Sequence, residues 1–201
     1  MTERDTPSDQ PLVSDEELQA ATIGIRVPHN APITLAEYDP AWPALFEREE
    51  RRIRGVLGET VVRLEHTGST SVPGLAAKPI IDMTLVVPDS ADEASYVPAL
   101  ETAGYFLRIR EPEWHEHRLL KGPDADVNLH VFSRGSVELE RMVGFRDWLR
   151  THPEDRELYE RTKRELAART WRHVQHYADA KTAVVEEIIA RAGLPPGTRL
   201  D

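Results

Sequence analysis

The chain contains no cysteine. Disulfides and thiolate metal sites are therefore excluded, and a reducing cytosol is the compartment that suits such a composition. Long apolar runs are missing as well. The opening stretch MTERDTPSDQPLVSDEELQ has no apolar core of the kind a signal peptide needs. No later run approaches the roughly 20 apolar residues of a membrane helix. A cytoplasmic protein that does not enter membranes is the expectation. Three familiar signatures are also absent. GSTSVPGLAAK is not a P-loop, because no Gly-Lys-Ser/Thr follows at the required spacing. There is no Gly-x-Ser-x-Gly elbow around Ser69 or Ser71, and no G-x-G-x-x-G dinucleotide fingerprint.

What is present is an ordinary globular composition. The 201 residues are 40% hydrophobic and 30% charged, enough for one sizeable domain with a true core, alone or with a small helical addition. The net charge is −10, and an acidic surface repels the phosphate backbone, so general nucleic-acid binding is disfavoured. A nucleotide or other phosphorylated small molecule is a different case. One basic pocket overcomes the global field at short range.

Residues 1–13 are polar and aperiodic and read as a disordered tail. Ser14 and Glu17 form the pattern of a capping box for a short helix through Ala21, and residues 24–32 read as a linker. Ile33–Tyr38 has the character of a short strand. Asp39-Pro40 then opens a helix over about 41–57 that Gly58 stops. Strand patterns follow at 61–66, 80–87, 105–110, 118–121 and 127–132, with a helix over about 92–103 between the second and third. Beyond Ser136 the pattern is helical, with Pro153 opening a second helix and Lys181–Ala192 a third. The expected organisation is a tail, short helix and linker over 1–32, an α/β (α+β) domain over 33–135, and a C-terminal helical subdomain over 136–201 packed on it.

The segment LEHTGSTSVPGLAAKPIIDMTLV is the most informative. A strand feeds Gly68-Ser69-Thr70-Ser71, whose backbone N–H groups and hydroxyls can cradle phosphate oxygens. Lys78 adds a charge nearby. Asp82 sits in an apolar strand, where a carboxylate is costly unless it is paired or binds a metal; a backbone-bonded structural carboxylate is the plain alternative. In DVNLHV, Asp126, Asn128 and His130 share one face by alternation. His115-x-His117 would share a strand face and so form the start of a transition-metal site, although the same spacing arises in solvated hairpins. Arg146, Arg150, Lys163 and Lys181 lie among acids on helices, where solvated ion pairs are the ordinary explanation.

The run EHTGSTSVPGLAAKPIIDMTLVV resembles the signature of the GrpB family (UPF0157), a branch of the nucleotidyltransferase superfamily. NLHVF at 128–132, FRDWLRTHPEDRELYERTKRELA at 145–167, and Tyr177 and Lys181 follow in the same order. The resemblance spans Ile33 to Ala192. It implies a nucleotidyltransferase-like small mixed sheet flanked by helices, with the Gly-Ser turn holding a triphosphate and strand carboxylates binding two Mg²⁺ ions. Asp82 matches the first carboxylate, Thr84 stands at the second, and His130 stands near the place of a third. The implied activity is metal-assisted transfer of a nucleotidyl group from NTP to an acceptor. Asp82 and His130 would be catalytic, and Asp82, Asp126 and His130 would bind the metal. Gly68, Ser69, Thr70, Ser71, Lys78, Arg146 and Lys163 would contact phosphate, and His66 would sit at the rim of the pocket. The alternative is a non-catalytic domain that binds a nucleotide or a coenzyme A metabolite, because a lost carboxylate at Thr84 harms two-metal chemistry more than binding. GrpB-like domains fused to dephospho-CoA kinase in some bacteria point the same way, towards coenzyme A metabolism.

Overall fold

The computed structural model describes residues 13–124 and 126–197. The expected tail falls outside the described residues except for Val13, whose N–H donates to Asp179 and whose carbonyl accepts from His176. The capping box forms as predicted, and α1 runs Asp15–Ala21. The predicted strand at 33–38 is reduced to a single bridge, in which Ala36 and Ala77 exchange both backbone hydrogen bonds. α2 spans Trp42–Leu57, and Gly58, with φ at 51°, ends it.

Five strands follow: β1 Arg63–Thr67, β2 Ile81–Val87, β3 Phe106–Glu111, β4 His117–Lys121 and β5 Val127–Ser133. They form one mixed sheet in the order β1-β2-β5-β4-β3, with only β2 and β5 parallel. The parallel pair requires a crossover, and the chain between its two strands contributes α3, Val97–Thr102, together with β3 and β4. α3 is shorter than the predicted helix because residues 93–95 form a separate 3₁₀ turn.

Strand alternation divides β2 between two layers. Ile81, Met83, Leu85 and Val87 join Ile53 and Leu57 of α2 and Leu100 of α3 in the main core. Each fully buried aliphatic there contributes about 1.5–3 kcal/mol. Asp82, Thr84 and Val86 face the opposite side. Over that side lie α4 Val137–Thr151, α5 Pro153–Ala167, α6 Val174–Ala180 and α7 Thr182–Arg191. Val86 packs on Leu139 and Val143 of α4. Val72 and Leu75, from the segment after the Gly turn, join Leu149, Tyr159, Val185 and Ile188 in a second core. The sequence pattern missed α6. No helix among the described residues is long and apolar enough to cross a membrane.

Candidate functional site

The site is built at the end of β1. Gly68 takes φ 65° and ψ −175°, a conformation open essentially to glycine alone, and Ser69–Ser71 then form one 3₁₀ turn. The glycine serves packing as well as backbone freedom, because a methyl group at this position would press into the Asp82 carboxylate. The turn is tied down from within. Ser71 Oγ donates to Gly68 O at 2.5 Å, and Thr70 Oγ1 donates to Ile80 O at 3.0 Å.

Beside it lies a cavity of about 500 Å³ between the second sheet face and the C-terminal helices. This is a size that suits a small-molecule ligand. Of the residues expected at the site, Gly68, Ser69, Thr70, Lys78, Asp82, Asp126, His130, Arg146 and Lys163 line it. Two expected residues are elsewhere. His66 pairs with Met83, so its side chain points to the α2 face, where it stacks on Phe46 at 4.9 Å. There it reaches Thr70 Oγ1 at 3.1 Å and shares a smaller recess with Ser71. The rim position expected for His66 is thus corrected by the strand register.

On the sheet wall, Asp82 Oδ1 accepts from Asn128 Nδ2 at 2.8 Å, and His130 Nε2 lies 3.9 Å away. Burial alone would raise this carboxyl, but His130, Lys78 and the Asn128 amide outweigh it and hold it below the usual range. Thr84 is fully buried and is paired with Thr67 Oγ1 at 2.9 Å and Met142 Sδ at 3.3 Å. Asp126 sits at the exposed mouth, paired with Lys121 at 3.2 Å.

The helical wall is cationic. Lys163 is 2% exposed, donates to Ala76 O, and lies 4.9 Å from the centre of the Tyr159 ring. Lys78 and Lys181 lie 6.0 and 5.0 Å from the centre of the Tyr177 ring. Burial, then the charges of Lys181 and Lys78, push the Lys163 ammonium well below the usual lysine range. Tyr177 is buried and lines the cavity, and its hydroxyl has no hydrogen-bond partner. Like charges and an unsatisfied hydroxyl gathered in one buried cavity are costly by themselves, and an anion between them relieves both costs. Sequence reading missed Tyr177 and Lys181 as site residues, although both belong to the family-like pattern. Arg146 touches the cavity, but its guanidinium already donates to Glu65, Asp147 and the His66 carbonyl. It ties α4 to β1 in this arrangement.

The histidine metal site does not form. His115 lies in the turn before β4 with φ at 51°, 3.5 Å from Glu138. Among the described residues no three His, Asp or Glu side chains converge to hold a metal ion. Asp82, Asp126 and His130 therefore do not make a three-ligand site, and Thr84 leaves a two-ion clamp without its second carboxylate. The donor set does fit one hard cation shared between Asp82 and the phosphates of a ligand, because Mg²⁺ commonly takes one or two carboxylates plus phosphate oxygens.

Comparison with known proteins agrees with this architecture. The family model described as GrpB protein matches residues 32–191. A UPF0157 protein of Halalkalibacterium halodurans is 64% identical over 89% of this chain and 92% of its own length. The crystal structure of conserved protein GrpB from Enterococcus faecalis superposes with a TM-score of 0.70 at 31% identity, covering 79% of this chain and 96% of that one. A dephospho-CoA kinase of Mycolicibacterium paratuberculosis is 27% identical over 81% of this chain and 46% of its own length.

Proposed function

The chain belongs to the GrpB family, and from that premise we propose that it transfers a nucleotidyl group from NTP to an acceptor in the cavity between sheet and helices. One observation carries the reading. The buried cations Lys163 and Lys181 and the unsatisfied Tyr177 hydroxyl line the same cavity as Asp82. That is an anion site next to a carboxylate, the pairing phosphoryl-transfer chemistry uses.

In this reading Lys78, Lys163 and Lys181 hold the terminal phosphates, and Tyr177 donates to one of their oxygens. The Gly68-Ser69 turn places its backbone beside Asp82 and closes the phosphate end. A Mg²⁺ ion bound with the nucleotide would be held by Asp82 and would polarise a phosphoryl oxygen. The acceptor hydroxyl attacks the α-phosphorus, pyrophosphate leaves with the bonding pair, and the hydroxyl proton passes to His130. A second reading is favoured by Thr84. With one carboxylate on the sheet, the same lysines would serve a non-catalytic domain that binds a nucleotide or a coenzyme A metabolite.

The test is a calorimetric panel of ATP, GTP, CTP, UTP, coenzyme A and dephospho-CoA, each with and without Mg²⁺. It uses the wild type, Lys163→Met, Lys181→Met and Asp82→Asn. Both lysine variants should weaken the preferred ligand at least about tenfold, or roughly 1.4 kcal/mol, whether or not Mg²⁺ is present. Asp82→Asn should lose only the Mg²⁺-dependent part of binding, together with turnover. Wild-type affinity in Asp82→Asn with Mg²⁺ present would remove the metal role and favour the binding domain. Failure of every anion in the panel to bind would sink both readings.

A further inference from the structure

One wall of the cavity comes from outside the family match. The match begins at residue 32, yet Thr22, Arg26 and Val27 line the cavity together with Ile109, Leu119 and Val174. The chain over residues 13–31 is a strap laid from the sheet to the C-terminal helices. On the sheet side, Thr22 bridges Ile109, and Ile23 N–H donates to Arg108 O at 2.8 Å. The Arg108 guanidinium donates back to the carbonyls of Ile23 and Ile25. On the helical side, the Asp15 carboxylate lies 2.6 Å from the Arg172 guanidinium and 3.1 Å from His173 Nε2, in the turn between α5 and α6. His29 N–H donates to Arg172 O at 2.7 Å, and Ala31 bridges Trp171. The bend between these anchors is tied from within. Thr22 Oγ1 donates to Leu18 O at 2.6 Å and accepts from the Arg26 guanidinium at 3.2 Å. The Gln19 side chain donates to Gly24 O and accepts from the Arg26 N–H.

Beneath the strap the sheet changes character strand by strand. Ile109, Leu119 and His130 are successive register partners across β3, β4 and β5, and Asn128 of β5 pairs with Asp82 of β2. Neighbouring strands lie about 4.8 Å apart, so Leu119 is about 10 Å across the sheet from the strand that carries Asp82, and Ile109 about 5 Å further. The cavity floor is therefore polar and charged at the Asp82 end and aliphatic under the strap. An aliphatic floor favours the apolar face of a ring and offers nothing to a phosphate. A guanidinium such as that of Arg26 stacks readily on a ring face. The span from Asp82 to Leu119 is also about the reach of a nucleoside from its 5′-phosphate.

We propose that the strap and the floor beneath it form a nucleobase subsite. A ring joined to phosphates held by the lysines lies on Leu119 and Ile109 and is covered by Thr22, Arg26 and Val27. The subsite rests on the nucleotide-binding part of the reading above, whether the nucleotide is turned over or only held. Val27, 79% exposed, gains a covering when the ring arrives. The strap is anchored at both ends beforehand, so binding orders little of it. Preference for one ring over another is then set by a segment that precedes the family match, not by the matched core alone.

The experiment is calorimetric titration of the full chain with ATP, UTP and inorganic triphosphate, all with Mg²⁺. It compares the wild type with Ile109→Ala, Val27→Ser and Lys163→Met. At least one nucleotide should bind the wild type more tightly than inorganic triphosphate does. Ile109→Ala and Val27→Ser should each weaken that nucleotide about three- to fivefold, because less apolar surface is covered, and leave triphosphate affinity unchanged. Lys163→Met should weaken both kinds of ligand. Triphosphate binding as tight as either nucleotide overturns the subsite, as do strap and floor variants that keep wild-type nucleotide affinity or lose triphosphate equally. If Ile109→Ala does not fold, Val27→Ser, at an exposed position, decides on its own. Nucleotide affinity that responds to Lys163→Met alone sinks the subsite and leaves the phosphate site standing. A ring preference that follows the strap in a protein without turnover sinks the transfer reading and leaves the subsite standing. Binding of none of the three overturns the subsite.

Discussion

His66 shows how burial turns a side chain into a pH-dependent load on the fold. Burial, with smaller contributions from the Arg150 and Arg146 charges, lowers its pKa to about 4, and Asp82 opposes them only in part. In the unfolded chain a histidine takes up its proton near pH ~6.5. The folded protein refuses that proton until the pH approaches 4. Between those values the unfolded state gains a proton the native state lacks, so stability falls as pH falls. Above the window the group contributes nothing. Across it the loss reaches about 3 kcal/mol, from 1.36 kcal/mol per pKa unit. His66→Gln keeps a polar partner for Thr70 and removes the titration. Urea unfolding at pH 7 and pH 4.5 should therefore show a smaller drop in the variant than in the wild type. Equal drops would mean that His66 is not what titrates.

At the level of elements, β3 is one of the two edges of the sheet, and the chain before the core covers it. Thr22 bridges Ile109, and Ile23 N–H donates to Arg108 O at 2.8 Å. The Arg108 guanidinium returns two bonds, to the carbonyls of Ile23 and Ile25. An uncovered edge is a template for pairing with another chain. Removing residues 1–12 should leave the melting temperature nearly unchanged, whereas removing residues 1–26 should produce self-association. Light scattering on both truncations checks this, and a monomeric, stable second truncation would show that the cover is dispensable. The five sheet strands and the Gly turn were legible in the sequence because apolar runs, alternation and small residues act locally, although 33–38 also read as a strand and forms only one bridge. α6 was not, since its seven residues carry no repeated apolar stripe. The histidine pair at 115 and 117 misled because alternation was carried through a turn in which His115 and Glu116 both have positive φ. Strand register, which no single segment encodes, decided that His66 and Asp82 lie on opposite faces. The clustering of Lys78, Lys163 and Lys181 is likewise a product of tertiary packing: Lys78 was legible beside the Gly turn and Lys163 only through the family resemblance, while Lys181 read as a solvated surface charge.

At the scale of the molecule, the question is whether the sheet and the C-terminal helices are one folding unit. The interface between them has the character of a core. Val72 and Leu75 from the sheet half are buried among Leu149, Tyr159, Val185 and Ile188 of the helical half. Polar ties close the same boundary. Arg146 donates to Glu65 at 2.9 Å and to the His66 carbonyl, while Ala76 exchanges bonds with Glu160 and Lys163. Stripping the helices away would expose the apolar side chains and leave Glu65, partly buried and held low by Arg146 and Arg63 against the opposing effect of burial, without its stronger partner. It would also remove one wall of the cavity. The apolar exposure alone costs a sizeable fraction of the roughly 5–15 kcal/mol by which a domain is stable. The whole chain should therefore unfold in a single calorimetric transition, with calorimetric and van't Hoff enthalpies that agree. A fragment ending at residue 135 should fail to fold, even though it contains every strand. Two separate transitions, or a soluble fragment with native-like amide protection, would show instead that the helices are an appended module and that the sheet carries its own core.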